Sequence, residues 1–116
     1  MNYTIKDINN KLYRGYRIIS GKEGRGINDL LVEAIEFYIQ GKTDEKLKYQ
    51  IPDDELKREL IIKNISDELY QKLENKSEEE KKDIDNIIID ALYAYVFDQE
   101  VEYRKELLNI EEDEFH

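Results

Sequence analysis

Short extended patterns alternate with longer helical ones along the chain. The β-branched and aromatic stretches at residues 3–6 and 60–63 predict two short β-strands. Asn9 and Ser66 follow them, and both residue types cap helices by accepting hydrogen bonds from the first free N–H groups. Apolar residues then recur at helical spacing, at Leu12, Tyr16 and Ile19 and again at Leu69 and Leu73. The pattern therefore predicts a strand followed by a capped helix at two places.

Glycines separate the first helix from a second one. Gly24-Arg25-Gly26 is predicted to break the helical pattern, because glycine is weak inside helices and adopts positive φ at little cost. A second helix is expected to follow and to end at Gly41. Its broad apolar face consists of Ile27, Leu30, Leu31, Ala34, Ile35 and Tyr38.

The second half of the chain lacks these glycines. Ser77-Glu78-Glu79-Glu80 resembles a capping box, so the last helix is predicted to begin a turn or two early. That helix is expected to run on through Val101 and Leu107-Leu108. Residues 42–59 are predicted to form a charged linker around Pro52, and residues 111–116 a frayed acidic tail.

The two halves are related by a constant offset of 57 residues, without a gap. Residues 5–13 fall on 62–70, and residues 27–35 fall on 84–92. Identical pairs include Ile5 with Ile62, Lys6 with Lys63, Leu12 with Leu69, Tyr13 with Tyr70 and Tyr38 with Tyr95. One such unit has a strand without a partner and buries too little surface to fold alone. Two units are therefore predicted to pair their strands antiparallel and interlock their helices.

These observations predict a mainly α fold with a short two-stranded antiparallel ribbon. The expected boundaries are a first unit at 1–41, a linker at 42–59, a second unit with an extended last helix at 60–110, and the tail at 111–116. The linker is long enough for the strands to pair within one chain, although pairing between chains is also open. Pairing within one chain is favoured here, because it raises the effective concentration of the partner strand.

Charge is distributed unevenly along the 116 residues, whose formal net charge is −10. Residues 1–26 contain six basic and two acidic side chains, whereas residues 43–116 contain 11 basic and 23 acidic ones. The overall charge argues against nucleic acid as a partner. However, phosphate binding needs only a local basic cluster, since salt screens each charge beyond about 10 Å. The basic N-terminal third is therefore compatible with DNA.

Several other chemistries find little support in the sequence. There is no Cys and only one His, the terminal His116, so no catalytic or metal site of these residues is expected. The acidic runs at 78–80 and 111–114 lack a calcium-binding loop, and Gly24 and Gly26 lack the Lys-Ser/Thr of a nucleotide loop. No enzyme activity and no cofactor are predicted. No apolar run reaches about 18 residues and no leader opens the chain, so a cytoplasmic location is expected.

The strand, capped helix, Gly-x-Gly-x-Asn turn and apolar helix resemble the ribbon-helix-helix DNA-binding family. Ile5-Lys6-Asp7-Ile8-Asn9 and residues 61–69 are similar to its strand-to-helix junction, and residues 24–31 to its inter-helix turn. The resemblance covers about 40 residues in each half. The tandem form, rich in Ile, Tyr, Lys and Glu, looks like small regulators of hyperthermophilic archaea or their viruses, for which the location would be the host cytoplasm.

The resemblance implies a ribbon that enters the major groove of double-stranded DNA. If Ile5 and Ile62 point inward, the base-contacting residues would be Thr4, Lys6, Ile61 and Lys63, unless a bulge changes the alternation. The family also binds phosphate at the start of its second helix. The corresponding residues here are Arg25, Gly26, Ile27 and Asn28 in the first unit and Lys81 and Lys82 in the second. Asp83 and Asp85 make the second half-site the weaker one.

The leading interpretation is a sequence-specific transcriptional regulator. A second is an antitoxin-like autoregulator whose acidic C-terminal segment binds a protein partner, and a third is an acidic interaction protein that has lost DNA affinity. Unequal half-sites predict that several molecules bind DNA side by side. Their self-association is expected through the last helix, at Tyr93, Phe97, Val101 and Leu108.

Overall fold

The computed structural model describes residues 1–41 and 57–97. Within them the chain forms four helices and two strands, which confirms the mainly helical class with a two-stranded antiparallel sheet. The elements in chain order are β1 (Tyr3–Asn9), α1 (Asn10–Glu23), α2 (Ile27–Ile39), β2 (Lys57–Ile62), α3 (Asp67–Glu80) and α4 (Ile84–Phe97). The linker residues 42–56, the expected extension of the last helix beyond Phe97 and the acidic tail lie outside the described residues.

The ribbon is formed by β1 and β2, which pair antiparallel within one chain. Thr4 lies opposite Ile61, and this pair is flanked by Tyr3 opposite Ile62 and by Ile5 opposite Leu60. The register then shifts, so that Ile8 lies opposite Arg58. Two residues of β1 therefore face one residue of β2, which is a β-bulge.

Both strands are longer than their β-branched stretches predict. β1 continues to Asn9, and β2 begins at Lys57, so residues 57–59 belong to the ribbon and not to the linker. The bulge allows β1 to continue although its inward residues, Ile5 and Ile8, are three positions apart. β2 continues because its charged start lies at a sheet edge, where polar side chains are tolerated.

The predicted helix caps are confirmed. The Asn9 side chain accepts a hydrogen bond from the Lys11 backbone N–H at 2.8 Å, and the Ser66 hydroxyl accepts one from the Leu69 N–H at 3.1 Å. The helix break at Gly24 is also confirmed, since this residue ends α1 with φ of 64°. Each of these local signals acts within one or two helical turns.

The capping box expected at Ser77 is wrong. Ser77 lies inside α3, whose carboxylates occupy its last turns, and α4 begins only at Ile84. The Ser77 hydroxyl donates a hydrogen bond to the Lys82 carbonyl, so it closes the turn after α3 instead of starting a helix. Lys81 ends α3 with φ of 55°, at the position that glycine holds in the first half.

Positions 57 apart make matching contacts around the two helix–helix turns. Ser20 donates to the Arg25 carbonyl as Ser77 donates to that of Lys82. The Leu30 N–H donates to the Gly26 carbonyl at 3.3 Å, and the Ile87 N–H to the Asp83 carbonyl at 3.1 Å. α1 and α3 also begin and end 57 positions apart. The sequence offset therefore corresponds to equivalent local geometry.

The core lies beneath the ribbon, where α2 and α4 pack against each other and against α1 and α3. Tyr16 is fully buried at its centre, with its ring stacked on Tyr95 at 5.9 Å between centroids. Its hydroxyl donates to the Leu92 carbonyl at 2.7 Å. This buried bond ties α1 to α4 beneath the ribbon.

Candidate nucleic-acid interface

Alternation around the centre of the ribbon builds its outer face, and the bulge at Lys6 and Asp7 interrupts it. Ile5, Leu60 and Ile62 are buried beneath it. The expected base-contacting residues, Thr4, Lys6, Ile61 and Lys63, are all exposed. Ile61 is 45% exposed, a fraction that only Met1 exceeds among the large apolar residues the structure describes, and it lies opposite Thr4. The structure thus brings these four residues together on one accessible surface.

One end of this surface carries two acidic side chains, of which Glu59 was not predicted to lie there. Because the register shifts between Ile5 and Ile8, Lys6 and Asp7 lie opposite Glu59. All three are exposed. The second strand was predicted to begin at residue 60, so Glu59 was assigned to the linker. The signal that could have found it is the alternation Glu59, Ile61, Lys63, with Leu60 and Ile62 between them.

The other end of the ribbon carries amides instead of carboxylates. Asn2 accepts a hydrogen bond through its side-chain oxygen from the Asn64 N–H at 3.2 Å. Asn64 has φ of 60°, a conformation that asparagine tolerates better than most residues. Lys63 is therefore followed by a neutral amide, whereas Lys6 is followed by Asp7 and lies opposite Glu59.

The N-terminus of α2 lies beside the Lys63 end of the ribbon. The Asn28 side chain donates to the Lys63 carbonyl at 2.8 Å and accepts from the Lys63 N–H at 2.7 Å. Gly26 is the N-cap of α2 and makes no side-chain capping bond, so the first N–H groups of the helix are not capped by a side chain of this residue. Asp29 in the same turn adds a negative charge close to Gly26. The structure thus joins Asn28 of the first half to Lys63 of the second.

Arg25 lies in an ion-pair network at the turn before α2. Its guanidinium contacts the Glu33 carboxylate at 2.7 Å and that of Glu23 at 3.5 Å. The hydrogen bond to Glu33 is the main reason that the pKa of Arg25 is raised. Tyr95 donates to the same carboxylate at 3.2 Å, and the pKa of Tyr95 rises to about 12 chiefly because of burial. Arg25 is consequently oriented by the protein itself.

The basic residues expected at the second turn are less well placed for an anion. Lys82 contacts Asp90 at 2.9 Å, which matches the Arg25–Glu33 pair 57 positions earlier. Lys81 is exposed, but it serves as the left-handed cap of α3. Asp85, which corresponds to Asn28, accepts a hydrogen bond from the Tyr3 hydroxyl. An acidic side chain therefore occupies the start of α4.

The two flanks of the ribbon also differ in shape. On one flank Tyr3 packs near Tyr70, with 6.4 Å between the ring centroids. On the other flank Leu60 takes the position that corresponds to Tyr3, and an open cavity of about 340 Å³ remains. At the edge of this cavity, the Arg58 guanidinium lies 3.6 Å from the centre of the Tyr13 ring. The flank with Leu60 thus lacks the aromatic ring that Tyr3 supplies on the opposite flank.

The described helices include none that is both long and apolar enough to cross a membrane. Across residues 1–41 and 57–97, no group of three or more His, Cys, Asp or Glu side chains is arranged to hold a metal ion, and His116 lies outside these ranges. Tyr93, which was predicted to take part in self-association, is partly buried against the core.

Comparisons of the chain with protein-family models, with curated proteins and with solved structures found no match.

Proposed function

We propose that this protein is a sequence-specific DNA-binding regulator that inserts its ribbon into the major groove. The observation that carries the proposal is the exposed outer face of β1 and β2, on which two lysines flank the Thr4–Ile61 pair. Paired strands are about 4.8 Å apart, so a two-stranded ribbon fits a groove about 12 Å wide. Lysine can donate to guanine O6 and N7, and threonine can contact either base type or a thymine methyl.

We also propose that the fold is a tandem ribbon-helix-helix arrangement within one chain. Its support is an approximate two-fold relation: Thr4 and Ile61 are 57 positions apart and lie opposite each other at the centre of the ribbon. The flanking pairs, Tyr3 with Ile62 and Ile5 with Leu60, exchange under the same relation. The matching turns and the equal lengths of α1 and α3 obey it as well.

The α2 N-terminus is the favoured phosphate site in this proposal. The N–H groups of Gly26, Ile27 and Asn28 lie at the positive end of a helix dipole, close to Lys63. Arg25 would bind phosphate only by sharing or leaving Glu33. At the corresponding second-half site, Lys82 is paired with Asp90, and Asp85 repels an anion. One strong and one weak phosphate contact are therefore expected.

The proposal is tested by measuring binding to a pool of DNA duplexes and to the duplexes selected from it, at several salt concentrations. Lys63→Ala should weaken binding to selected duplexes by about 1–3 kcal/mol and change the base preference at one position. Its backbone bonds to Asn28 do not require the lysine side chain. Lys72→Ala is the matched control, because it removes the same charge from α3, where Lys72 pairs with Glu68.

Two results would contradict this function. Binding that does not change with salt or sequence would exclude readout by the ribbon. Equal losses for the Lys63 and Lys72 variants would reduce the role of Lys63 to net charge. An antitoxin-like role remains an alternative whose acidic C-terminal segment lies outside the described residues, and capture of a protein partner by that segment would favour it.

A further inference from the structure

The two ends of the ribbon differ in chemistry although their backbones are related by the approximate two-fold. The Lys6 end carries Asp7 and Glu59, and the corresponding positions at the Lys63 end are Asn64 and Asn2. At the centre, Thr4 of one strand corresponds to Ile61 of the other. Lysine is the residue that the two ends share. The side chains that would contact bases are therefore not related by the two-fold, although the backbone is.

We infer that this chain recognises a non-palindromic DNA site, with Glu59 as a specificity-determining residue at one end. The inference rests on the proposed function and deepens it. A carboxylate on the outer face has acceptors only, and the major groove offers two donors, cytosine N4 and adenine N6. It favours cytosine, because adenine also presents the acceptor N7 beside N6, which repels a carboxylate. The Glu59 end should thus prefer cytosine at a position where the Asn2 end has no such preference.

The supporting contacts make the same distinction beneath the ribbon. Asn28 binds the Lys63 backbone on both its N–H and its carbonyl, so the Lys63 end is held against the α2 N-terminus. The corresponding Asp85 instead accepts from the Tyr3 hydroxyl. Each second helix has one aspartate in its first turn, Asp29 in α2 and Asp85 in α4, and the weaker half adds Asp83 before α4 and Glu59 on the outer face. Phosphate attraction should anchor the Lys63 end, whereas the carboxylate of Glu59 discriminates among bases at the other.

The Thr4–Ile61 centre adds a second source of asymmetry. Threonine carries both a hydroxyl and a methyl group, so it can bond a base edge or contact a thymine methyl. Isoleucine offers apolar contact alone, and Ile61 exposes 45% of its surface on this face. The two central base steps of the site should therefore differ as well.

The test selects preferred sites from a random duplex pool with the full chain. Binding to the selected site is then compared with binding to two palindromes, each made by doubling one half of that site. The wild-type protein should bind the selected site at least about fivefold more tightly than either palindrome, because each wrong base costs about 1–3 kcal/mol. Glu59→Asn gives residue 59 the side chain of its two-fold counterpart and should remove the cytosine preference at that position.

Glu79→Asn is the matched control. It removes the same charge from an exposed position twelve residues into α3, about 18 Å along the helix from its start next to the ribbon. It should strengthen binding to all duplexes alike and leave the preferred site unchanged. Circular dichroism of each variant checks that the fold is retained, and an exposed strand residue such as Glu59 is not needed for the core.

The possible outcomes separate this inference from the function on which it rests. A palindromic preferred site would overturn the inference and leave DNA binding intact. An unchanged cytosine preference in Glu59→Asn would overturn the assignment of Glu59. Absence of any sequence-selective binding would overturn both the inference and the proposed function.

Discussion

Asn28 is a residue with a structural role that joins the two halves of the molecule. Its side-chain amide both donates to and accepts from the Lys63 backbone, and so satisfies both polar groups at the end of β2. A neutral hydrogen bond contributes about 0.5–1.5 kcal/mol of net stability. The phosphate contact predicted for Asn28 would be made by its backbone N–H, so it does not compete with the side-chain bonds to Lys63.

Replacing Asn28 is expected to destabilise the fold. Asn28→Ala should lower the free energy of unfolding by about 1–2 kcal/mol, because two backbone groups lose their partner. Chemical denaturation followed by circular dichroism measures this change. Asn75→Ala, which removes a single exposed side-chain bond on α3, should cost less than about 0.5 kcal/mol. Equal costs for the two variants would show that the contact with Lys63 adds nothing.

Tyr16 makes the stability of the protein sensitive to alkaline pH. Burial raises the pKa of its hydroxyl well above the usual 10, with a smaller contribution from Tyr95. The folded state therefore holds this proton more tightly than the unfolded state. The resulting stability is fully present below pH 10 and is lost as the pH rises above 10 towards the folded-state pKa, since the unfolded tyrosine ionises first.

This linkage is tested with Tyr16→Phe, which has no proton to lose at residue 16. Between pH 9 and pH 11 the wild-type protein should lose about 1.4 kcal/mol more stability than the variant. The variant itself should be about 1 kcal/mol less stable at neutral pH, because the bond to the Leu92 carbonyl is absent. Denaturant titrations at pH 7 and at several values between pH 9 and pH 11 measure both quantities. Parallel pH profiles would contradict the assignment to Tyr16.

At the scale of elements, the two helix–helix turns share a backbone conformation but adopt it with different residues. In both turns a serine hydroxyl donates a hydrogen bond to the carbonyl five residues later, and one residue has a left-handed backbone conformation. The first turn uses Gly24, for which positive φ is inexpensive. The second uses Lys81, whose Cβ makes the same backbone conformation cost about 1–2 kcal/mol.

Lys81→Gly is therefore expected to stabilise the protein by about 0.5–1 kcal/mol, the strain relief less the entropy that glycine loses on folding. Lys81→Ala is the control, since it removes the charge but keeps the strained backbone, and it should be close to neutral. Thermal unfolding at one protein concentration compares the three proteins. Stabilisation by alanine equal to that by glycine would assign the effect to charge.

At the scale of the whole molecule, the ribbon pairs strands from the same chain. Folding of such a unit is unimolecular, so its midpoint should not depend on protein concentration, whereas a ribbon shared by two chains would become more stable as concentration rises. Thermal unfolding over about a 100-fold concentration range tests this. A midpoint that rises with concentration would contradict pairing within one chain.

The last helix offers a second test at this scale. The described residues pack a continuous core of their own, in which Val96 of α4 is fully buried. Truncation after Phe97 should therefore preserve folding, while the predicted contacts between neighbouring molecules on DNA should be lost. Circular dichroism measures the first effect, and the steepness of a DNA-binding curve measures the second. If the truncated chain unfolds, residues beyond Phe97 belong to the core.

The sequence by itself determined the features that depend on near neighbours in the chain. The caps at Asn9 and Ser66, the break at Gly24 and the outward alternation at Thr4 and Ile61 all follow from interactions within one turn or one strand. The approximate equivalence of the two halves could be predicted for the same reason, because identical local patterns fold alike. A capping-box pattern at Ser77 failed, since the turn after it used that hydroxyl instead.

Only the tertiary structure decided which residues meet across the two halves. The bulge brought Glu59 opposite Lys6 and Asp7, and packing of α2 against the ribbon placed Asn28 on Lys63. Glu33, in the second turn of α2, forms an ion pair with Arg25. Such pairings depend on strand register and on how separate elements pack. They decide at which end of the candidate interface the carboxylates lie and at which end the amides lie, and charge counts along the chain do not contain that information.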